Sequence, residues 1–236
     1  MKIRTATAKG ARSYQEDRHF ITHTPDGAYL GVFDGHGGDE CAQHCVKRLP
    51  VILRSNPELA RALEKLNSET RYMYTGSTAS IVFIPKDETV VHVAVIGDSP
   101  VVVRQADGSI WVSPEHNVRT NVAEADAAKQ RGGFVSGGYL YASYSGSGLQ
   151  LSRSLGDSSL DKVLLRTPDV SSHVLGAGSF VLLASDGAVD PSHAHEAESI
   201  AAIVSMIEAG ADAQQIVDRA LAIPTDDNVT AILVTL

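Results

Sequence analysis

Three apolar segments of the sequence each end at an aspartate that lies beside a glycine. They are Tyr29–Phe33 before Asp34-Gly35, Val91–Ile96 before Gly97-Asp98, and Phe180–Ala184 before Ser185-Asp186-Gly187. A fourth acidic pair, Asp226-Asp227, opens the last apolar segment of the chain. An ordinary turn explains any one of these sites, because Asp and Gly both favour turns. Four such sites on otherwise apolar segments instead predict carboxylates that gather at the edge of a sheet.

Carboxylates gathered in this way repel one another, and bound cations remove that repulsion. A ligand set made only of oxygen atoms favours hard cations such as Mg²⁺ or Mn²⁺, whereas zinc prefers Cys and His. The neighbouring glycines let backbone carbonyls and a bound phosphate come close. The sequence therefore predicts a site for hard cations beside a phosphate group, with Asp34, Asp186 and Asp227 as its first candidate ligands.

The composition narrows the class of protein and its partners. The 236 residues are 43% hydrophobic, which is enough to fill a sizeable core. The formal net charge of −8 argues against nucleic acid or an anionic membrane as the main partner. The only cysteines, Cys41 and Cys45, argue against a secreted disulfide scaffold and favour the cytoplasm. No linker or repeat divides the chain, so we expect one catalytic domain over residues 1–236, acting as a monomer.

Period-two patterns and turn residues predict mainly short strands, with two pairs of helices between them. The expected strands are Ile3–Ala8, Arg18–His23, Ala28–Phe33, Thr78–Ile84, Val90–Ile96, Val101–Arg104, Phe180–Ala184 and Val229–Val234. The expected helices are Asp39–Leu53, Pro57–Tyr72, Ala194–Glu208 and Ala213–Ala222. Strands followed by paired helices indicate an α+β layered domain rather than alternating βαβ units.

The periodicity weakens over residues 114–148, where we expect an exposed flap or lid. Its tyrosines, Tyr139, Tyr141 and Tyr144, either contact a phosphopeptide or pack on their own scaffold.

A second alternative concerns Cys41, His44 and Cys45, which share a helical face. Half-buried helix packing explains that trio better than a small metal site, because no fourth ligand is evident.

Seven motifs now follow one another in an order that resembles a known family. They are Arg12 with Glu16-Asp17, Asp34-Gly35-His36-Gly37-Gly38, Gly76-Ser77-Thr78-Ala79, Gly97-Asp98-Ser99, Ser154-Leu155-Gly156-Asp157, Ser185-Asp186-Gly187 and Asp227-Asn228. The series resembles the metal-dependent serine/threonine protein phosphatases of type 2C, the PPM family, over nearly the whole chain. That resemblance implies a four-layer α-β-β-α sandwich, in which two central antiparallel sheets are flanked by helix pairs.

The resemblance also implies a set of metal ligands for two Mn²⁺ or Mg²⁺ ions and a third, weakly bound ion. Asp34 would bridge two ions, the Gly35 carbonyl would bind one of them, and Asp98 with Asp186 would hold the third. The implied metal-binding set is Asp17, Asp34, Gly35, Asp98, Asp186 and Asp227, with Glu16 and Asn228 in support. An Asx turn at the strand start is the alternative role for Asn228, and a turn or distant support is expected of Asp157.

The implied reaction is direct attack on phosphorus by a metal-bridging hydroxide, with no phosphoenzyme intermediate. Three residues, His36, Asp34 and Arg12, form the implied catalytic group. Arg12 would bind the substrate phosphate, and His36 would protonate the departing serine or threonine oxygen. The plain alternatives are a solvated arginine and a histidine that only hydrogen-bonds within its turn.

The expected substrate is a phosphorylated protein, the target of a serine/threonine kinase. One departure from the family pattern bears on this: Pro114-Glu115-His116-Asn117 replaces the usual Asp-His-Lys-Pro, so substrate preference is not carried over. Two rival functions stay open. One is a pseudophosphatase that only binds, and the other is a phosphatase of small metabolites or a sporulation-type regulator on the same fold.

Overall fold

The computed structural model describes residues 1–144, 146–191, 196–223 and 225–236. Its strands, in chain order, are β1 (Lys2–Ala8), β2 (Arg18–Thr24), β3 (Gly27–Phe33), β4 (Gly35–His36), β5 (Gly76–Ser77), β6 (Ala79–Pro85), β7 (Val90–Ile96), β8 (Val101–Arg104), β9 (Ile110–Val112), β10 (Phe134–Ser136), β11 (Tyr139–Tyr141), β12 (Leu155–Gly156), β13 (Asp169–Val174), β14 (Phe180–Ala184) and β15 (Val229–Thr235). Its helices are α1 (Glu40–Ser55), α2 (Leu59–Thr70), α3 (Val122–Gln130), α4 (Asp186–Val189), α5 (Glu196–Glu208) and α6 (Ala213–Leu221).

Two five-stranded antiparallel sheets form the centre of the molecule. One has the order β1-β15-β14-β8-β9 and the other β13-β7-β6-β3-β2. Side chains alternate between the two faces of each strand. In β3, for example, Leu30 and Val32 point into the core between the sheets, whereas Tyr29 and Phe33 face helices.

Each sheet carries a helix pair on its outer face. α1 and α2 pack on the sheet that contains β3, and α5 and α6 pack on the sheet that contains β15. The apolar stripe of α5, which includes Ile203 and Ile207, is buried against that sheet. The four-layer α+β sandwich expected from the sequence is therefore confirmed.

Most expected elements are present within two residues of their predicted bounds. Residues 194 and 195 of one predicted helix lie outside the described residues, but the helix is present from Glu196. In the described segments, no helix has the length and apolar character needed to span a membrane. The cysteines of α1 are buried, and His44 bonds Glu69 at 3.1 Å, which favours helix packing over a metal site.

The segment between β9 and β12 folds as a small unit beside the sheets. α3 and the hairpin formed by β10 and β11 enclose a separate apolar cluster. Its buried members are Val118, Ala125, Ala128, Leu140, Leu160, Val163 and Leu164. An ion pair ties α3 to the chain that follows the hairpin, with Arg153 Nη2 2.5 Å from Glu124 Oε1. The segment expected to be a flap or lid thus contains a helix and a hairpin, which share an apolar cluster with residues that follow β12.

The Glu124 carboxylate should contribute to stability in a pH-dependent way. Burial alone raises its pKa, but hydrogen bonds from Arg153 and Ser152 bring the pKa of Glu124 below its ordinary value. Since the pKa of Glu124 is lower in the folded state, the carboxylate stabilises the fold fully at pH values above the ordinary Glu pKa. This stabilisation is lost as the pH falls through the lowered pKa of Glu124. Glu124→Gln should therefore cost about 2 kcal/mol at neutral pH.

Thermal unfolding of the wild type and of Glu124→Gln, measured from neutral to strongly acidic pH, tests this expectation. The difference in Tm should be largest at neutral pH and should narrow on acidification. A Tm difference that is independent of pH would contradict the account.

Candidate active site

The sheet ends and a small third sheet surround one cavity of about 370 Å³. The third sheet has the order β12-β5-β4. Its strand β4 follows β3 in the chain, with Asp34 between them. The residues around the cavity come from most parts of the chain: Arg12, Asp34, Gly35, His36, Thr78, Asp98, Tyr139, Gly148, Leu149, Gln150, Leu151, Asp186 and Asp227. Most of the sequence-predicted site residues therefore meet at one place.

Asp34 lies between β3 and β4, and its backbone is held on both sides. Its N–H donates to Thr78 Oγ1 at 3.0 Å, and the Thr78 N–H donates to the Asp34 carbonyl at 2.9 Å. Thr78 Oγ1 also lies 2.8 Å from Ser99 Oγ. Thr78 is thus buried structural support that connects Asp34 to the loop carrying Asp98, not a nucleophile.

Asp186 and Asp227 come together because β14 and β15 are neighbouring antiparallel strands. Asp186 opens α4 just after β14 ends, and Asp227 precedes β15. Between them lies Gly187, where an added Cβ would be 2.1 Å from the Asn228 carbonyl oxygen and 2.9 Å from Asp227 Cβ. The close approach of these two chain segments therefore requires glycine at position 187.

Asn228 fixes the loop that precedes β2. Its Oδ1 accepts the Glu16 N–H at 2.7 Å, and its Nδ2 donates to the carbonyls of Lys9 at 2.8 Å and Tyr14 at 3.1 Å. The Asn228 side chain is buried, and its backbone N–H donates to Asp227 Oδ1 at 2.8 Å. These hydrogen bonds of the Asn228 side chain all go to this loop, and its bond to Asp227 is made by the backbone N–H, so the side chain clamps the loop.

Glu16 and Asp17 lie at the end of that loop, directly before β2. Glu16 Oε1 accepts the Gly38 N–H at 2.6 Å and so orients the turn that follows His36. Asp17 Oδ2 accepts from Ser185 Oγ at 2.9 Å, while Asp17 Oδ1 is buried without a hydrogen-bond partner in the described structure. A buried carboxylate oxygen in that state is a strong candidate for a cation ligand.

The carboxylates interact electrostatically across the site. Burial raises the pKa of Asp34 well above its ordinary value, and the charges of Asp17 and Asp186 raise it further. Burial likewise raises the pKa of Asp17 to about 7, and the charges of Asp186 and Asp227 act in the same direction. Such a group of mutually repelling carboxylates is stabilised by positive charge in its midst.

Asp98 lies on the far side of Asp186. Burial raises the pKa of Asp98 to about 7, the charge of Asp186 adds to this, and a hydrogen bond from Asn117 opposes it. That bond joins Asn117 Nδ2 to Asp98 Oδ2 at 2.9 Å. The loop before Asp98 is held by buried His116, whose Nδ1 accepts the Gly97 N–H at 3.0 Å.

The donor set fits a hard cation that keeps much of its water. Within the described ranges, no three His, Cys, Asp or Glu side chains converge closely enough to form a metal-binding group on their own. Mg²⁺ and Mn²⁺ commonly take only a few protein oxygens and complete their octahedral shell with water or substrate oxygens. Spaced carboxylates beside an open cavity suit that coordination better than they suit zinc.

Arg12 lies at the mouth of the cavity with its guanidinium against the acidic residues. Its Nη2 is 3.0 Å from Asp227 Oδ1 and its Nη1 is 3.4 Å from Glu16 Oε2, while Nε donates to the Asp226 carbonyl. The side chain is partly exposed. Arg12 is thus placed at the site by ion pairs, not left as a freely solvated arginine.

His36 is part of β4 and borders the same cavity. Its Nε2 lies 2.8 Å from Asp157 Oδ2, and its side chain is 27% exposed. Burial alone lowers the pKa of His36, but the hydrogen bond and charge of Asp157, with Asp98 and Glu16, bring that pKa above its ordinary value. This histidine therefore favours the protonated form that a proton donor needs.

Comparison with known proteins agrees with this geometry. Residues 1–229 match the family described as Protein phosphatase 2C. The chain belongs to this family. A protein named "Probable protein phosphatase 2C 11" from Arabidopsis thaliana is 27% identical over 97% of the chain, which spans 65% of that relative. The chain thus covers less than two thirds of that relative's length.

Solved structures show the same fold. A phosphatase from a pathogenic strain of Toxoplasma gondii superposes with a TM-score of 0.80 at 22% identity, over 99% of this chain and 92% of that one. The catalytic domain of the serine/threonine phosphatase PstP, in complex with two manganese ions, gives a TM-score of 0.65 at 20% identity, over 98% and 96% of the two chains.

In this protein phosphatase 2C chain, the contacts that two residues make at the site were not predicted from the sequence. Asn117 was noted only as a departure from the family pattern, yet it bonds Asp98. Asp157 was expected to tighten a turn or to support the metal site at a distance. It does adopt a left-handed backbone conformation, with φ 51°, but it also bonds His36. No local pattern marks either contact, because the partners are far apart in sequence.

Proposed function

We propose that the chain is a metal-dependent phosphatase that removes phosphate from phosphoserine and phosphothreonine in proteins. The observation that carries this proposal is the group of four half-buried aspartates that line one cavity together with Arg12 and His36. Family membership supports the reaction class. We further propose that residues 1–236 act as one monomeric catalytic domain, in which the segment 114–148 serves as the lid.

The proposed ligands of two divalent cations are Asp34, the Gly35 carbonyl, Asp186 and Asp227, with Asp17 in reach of the same space. When bound, the ions supply charge neutralisation and activate a water molecule for direct attack on phosphorus, without a phosphoenzyme. Glu16 orients the turn after His36, and Asn228 holds the loop that carries Arg12. Asp98 extends the acidic surface toward Asp186 and is the proposed ligand of a third, weaker ion.

The remaining groups act on the substrate. Arg12 presents a planar guanidinium to the phosphate oxygens, over which negative charge is spread during phosphoryl transfer. His36 donates a proton to the serine or threonine oxygen as the bond from phosphorus to that oxygen breaks. The proton is needed because an alkoxide is a poor leaving group.

Hydrolysis of a generic aryl phosphate tests the metal requirement. Turnover should need Mn²⁺ or Mg²⁺ and should disappear when a chelator is added. If the metal-loaded protein shows no turnover, the pseudophosphatase alternative is favoured and the proposal fails. A substrate with a chiral phosphorus tests the direct attack, since one in-line displacement inverts the configuration and a phosphoenzyme pathway retains it.

The lid should contribute to recognition of a peptide through Tyr139. Tyr139 borders the cavity, whereas Tyr141 and Tyr144 stack on Phe134 within the lid, with ring centroids 5.1 Å and 4.6 Å away. Tyr139→Ala should raise the KM for a phosphothreonine peptide by about tenfold, which corresponds to about 1.4 kcal/mol of lost contact.

Two comparisons control this prediction. KM for a small aryl phosphate should change little in Tyr139→Ala, and the 95% exposed Tyr144 offers a matched substitution, Tyr144→Ala, that should leave both KM values unchanged. Equal effects of the two substitutions would contradict a specific role for Tyr139. If small phosphorylated metabolites are turned over far better than any peptide, the metabolite alternative replaces the protein substrate.

A further inference from the structure

The Asp157 carboxylate joins three separate parts of the chain at the histidine of the active site. His36 lies on β4, Gly76 on β5 and Gly156 on β12, and the pairing of these strands places the three residues in one row across the small sheet. Asp157 follows directly after Gly156. The His36 ring and the Asp157 carboxylate meet at 2.8 Å over the middle strand.

The middle position of that row must be glycine for this contact to form. A Cβ added to Gly76 would lie 2.1 Å from His36 Nε2 and also 2.1 Å from Asp157 Oδ2. Real Cβ atoms do not approach other atoms so closely, so any larger residue would push the ring and the carboxylate apart. The space above Gly76 is therefore occupied by the hydrogen bond itself.

Asp157 is itself held in one position. Its Oδ2 accepts from Ser154 Oγ at 2.5 Å, and both residues are buried. Its backbone adopts φ 51°, a conformation that costs a non-glycine residue free energy, and its N–H donates to the Thr75 carbonyl at 3.2 Å. A buried aspartate kept in a costly conformation, with its carboxylate against the imidazole, is more than a turn former.

We propose that Asp157, fixed by Ser154, is a positioning residue for His36. Its Oδ2 accepts the hydrogen on Nε2, which fixes the orientation of the ring and leaves the Nδ1 hydrogen of the protonated ring as the one that can be donated. The step that depends on this orientation is proton donation to the departing alkyl oxygen, so the inference rests on the proposed function. Asp157 does not contact the substrate in this account.

The dependence on leaving group tests the proposal. An aryl phosphate departs without a proton donor, whereas phosphothreonine needs one. In Asp157→Asn, the ratio of kcat for a phosphothreonine peptide to kcat for the aryl phosphate should fall by about 10- to 100-fold, since general acid catalysis contributes about 10²–10⁴. His36→Gln should lower the ratio at least as much, and the double variant no further. Ser154→Ala, a milder change, should lower it by a smaller factor.

Asp161→Asn is the matched control, because Asp161 pairs with Arg71 and Arg166 without touching His36. It should leave the ratio unchanged. If Asp157→Asn lowers kcat equally for both substrates, Asp157 has only a structural role and the proposal is wrong. The same conclusion follows if the effects of Asp157→Asn and His36→Gln on the kcat ratio multiply in the double variant.

A spectroscopic measurement keeps the inference separate from the activity. Nitrogen-15 NMR of the folded protein, recorded at a pH at which the His36 ring is neutral, should show its single ring N–H hydrogen on Nε2 in the wild type and a changed tautomer distribution in Asp157→Asn. If the wild type lacks phosphatase activity but shows this difference, the proposed function fails while the positioning contact stands. If the His36 signals of the two proteins are the same, the inference is overturned.

Discussion

Asp34→Asn is expected to abolish nearly all metal-dependent hydrolysis. Asp34 lies at the centre of the carboxylate group, where the charges of Asp17, Asp186, Asp227 and Asp98 all act on it. An amide keeps the shape of the side chain but loses the charge with which Asp34 would hold the proposed cations. We expect kcat for an aryl phosphate to fall by about 10³-fold, which corresponds to about 4 kcal/mol of transition-state stabilisation.

The same substitution should not weaken the fold. Because other negative charges surround Asp34, removal of its own charge relieves repulsion, and the Tm measured in the presence of chelator should stay the same or rise. Asp107→Asn is the control, since Asp107 occupies an exposed turn and accepts from Ser109. Full activity in Asp34→Asn, or loss of its folded state, would contradict the role assigned to Asp34.

Asn228→Ala is expected to lower both stability and activity. The substitution removes three buried hydrogen bonds, to the backbone of Lys9, Tyr14 and Glu16. Leaving these groups without partners should cost about 3 kcal/mol. In a chain of this length that loss lowers Tm by roughly 6 to 12 °C. Activity should fall as well, because the released loop carries Arg12 and Asp17.

Thermal unfolding and steady-state kinetics of Asn228→Ala can be compared with Asn67→Ala. The Asn67 Oδ1 is buried without a hydrogen-bond partner among the described residues, and Ala suits the helix α2 on which it lies. That control should keep its Tm and its activity. Equal behaviour of the two variants would show that Asn228 does not clamp the loop.

The sequence predicts the larger elements well because their hydrophobic patterns are strong. Val90–Ile96 and Phe180–Ala184 were expected at their observed bounds. α3 was missed because its buried face consists only of the alanines Ala125 and Ala128, which give no apolar stripe. β13 was missed since its sequence, Asp169–Val174, is largely polar and lies at a sheet edge.

At the site, too, residues marked by local motifs could be predicted, whereas contacts between residues far apart in sequence could not. The aspartates at strand ends could be recognised because each motif is local, and the structure gathers them around one cavity. The partners of these residues could not be found in this way. Asp157 meets His36 only because a two-residue strand containing Gly76 lies between them, and strands that short have no hydrophobic period. Asn117 and Asp98 are 19 residues apart in sequence, and no motif predicts the hydrogen bond between them.

Phosphate release from a phosphothreonine peptide is the most direct test of the proposed function. The account predicts turnover with Mn²⁺, no turnover after the metal is chelated, and much slower turnover of the matching phosphotyrosine peptide. Absence of phosphate release from the metal-loaded, folded protein, or a preference for phosphotyrosine, would contradict it.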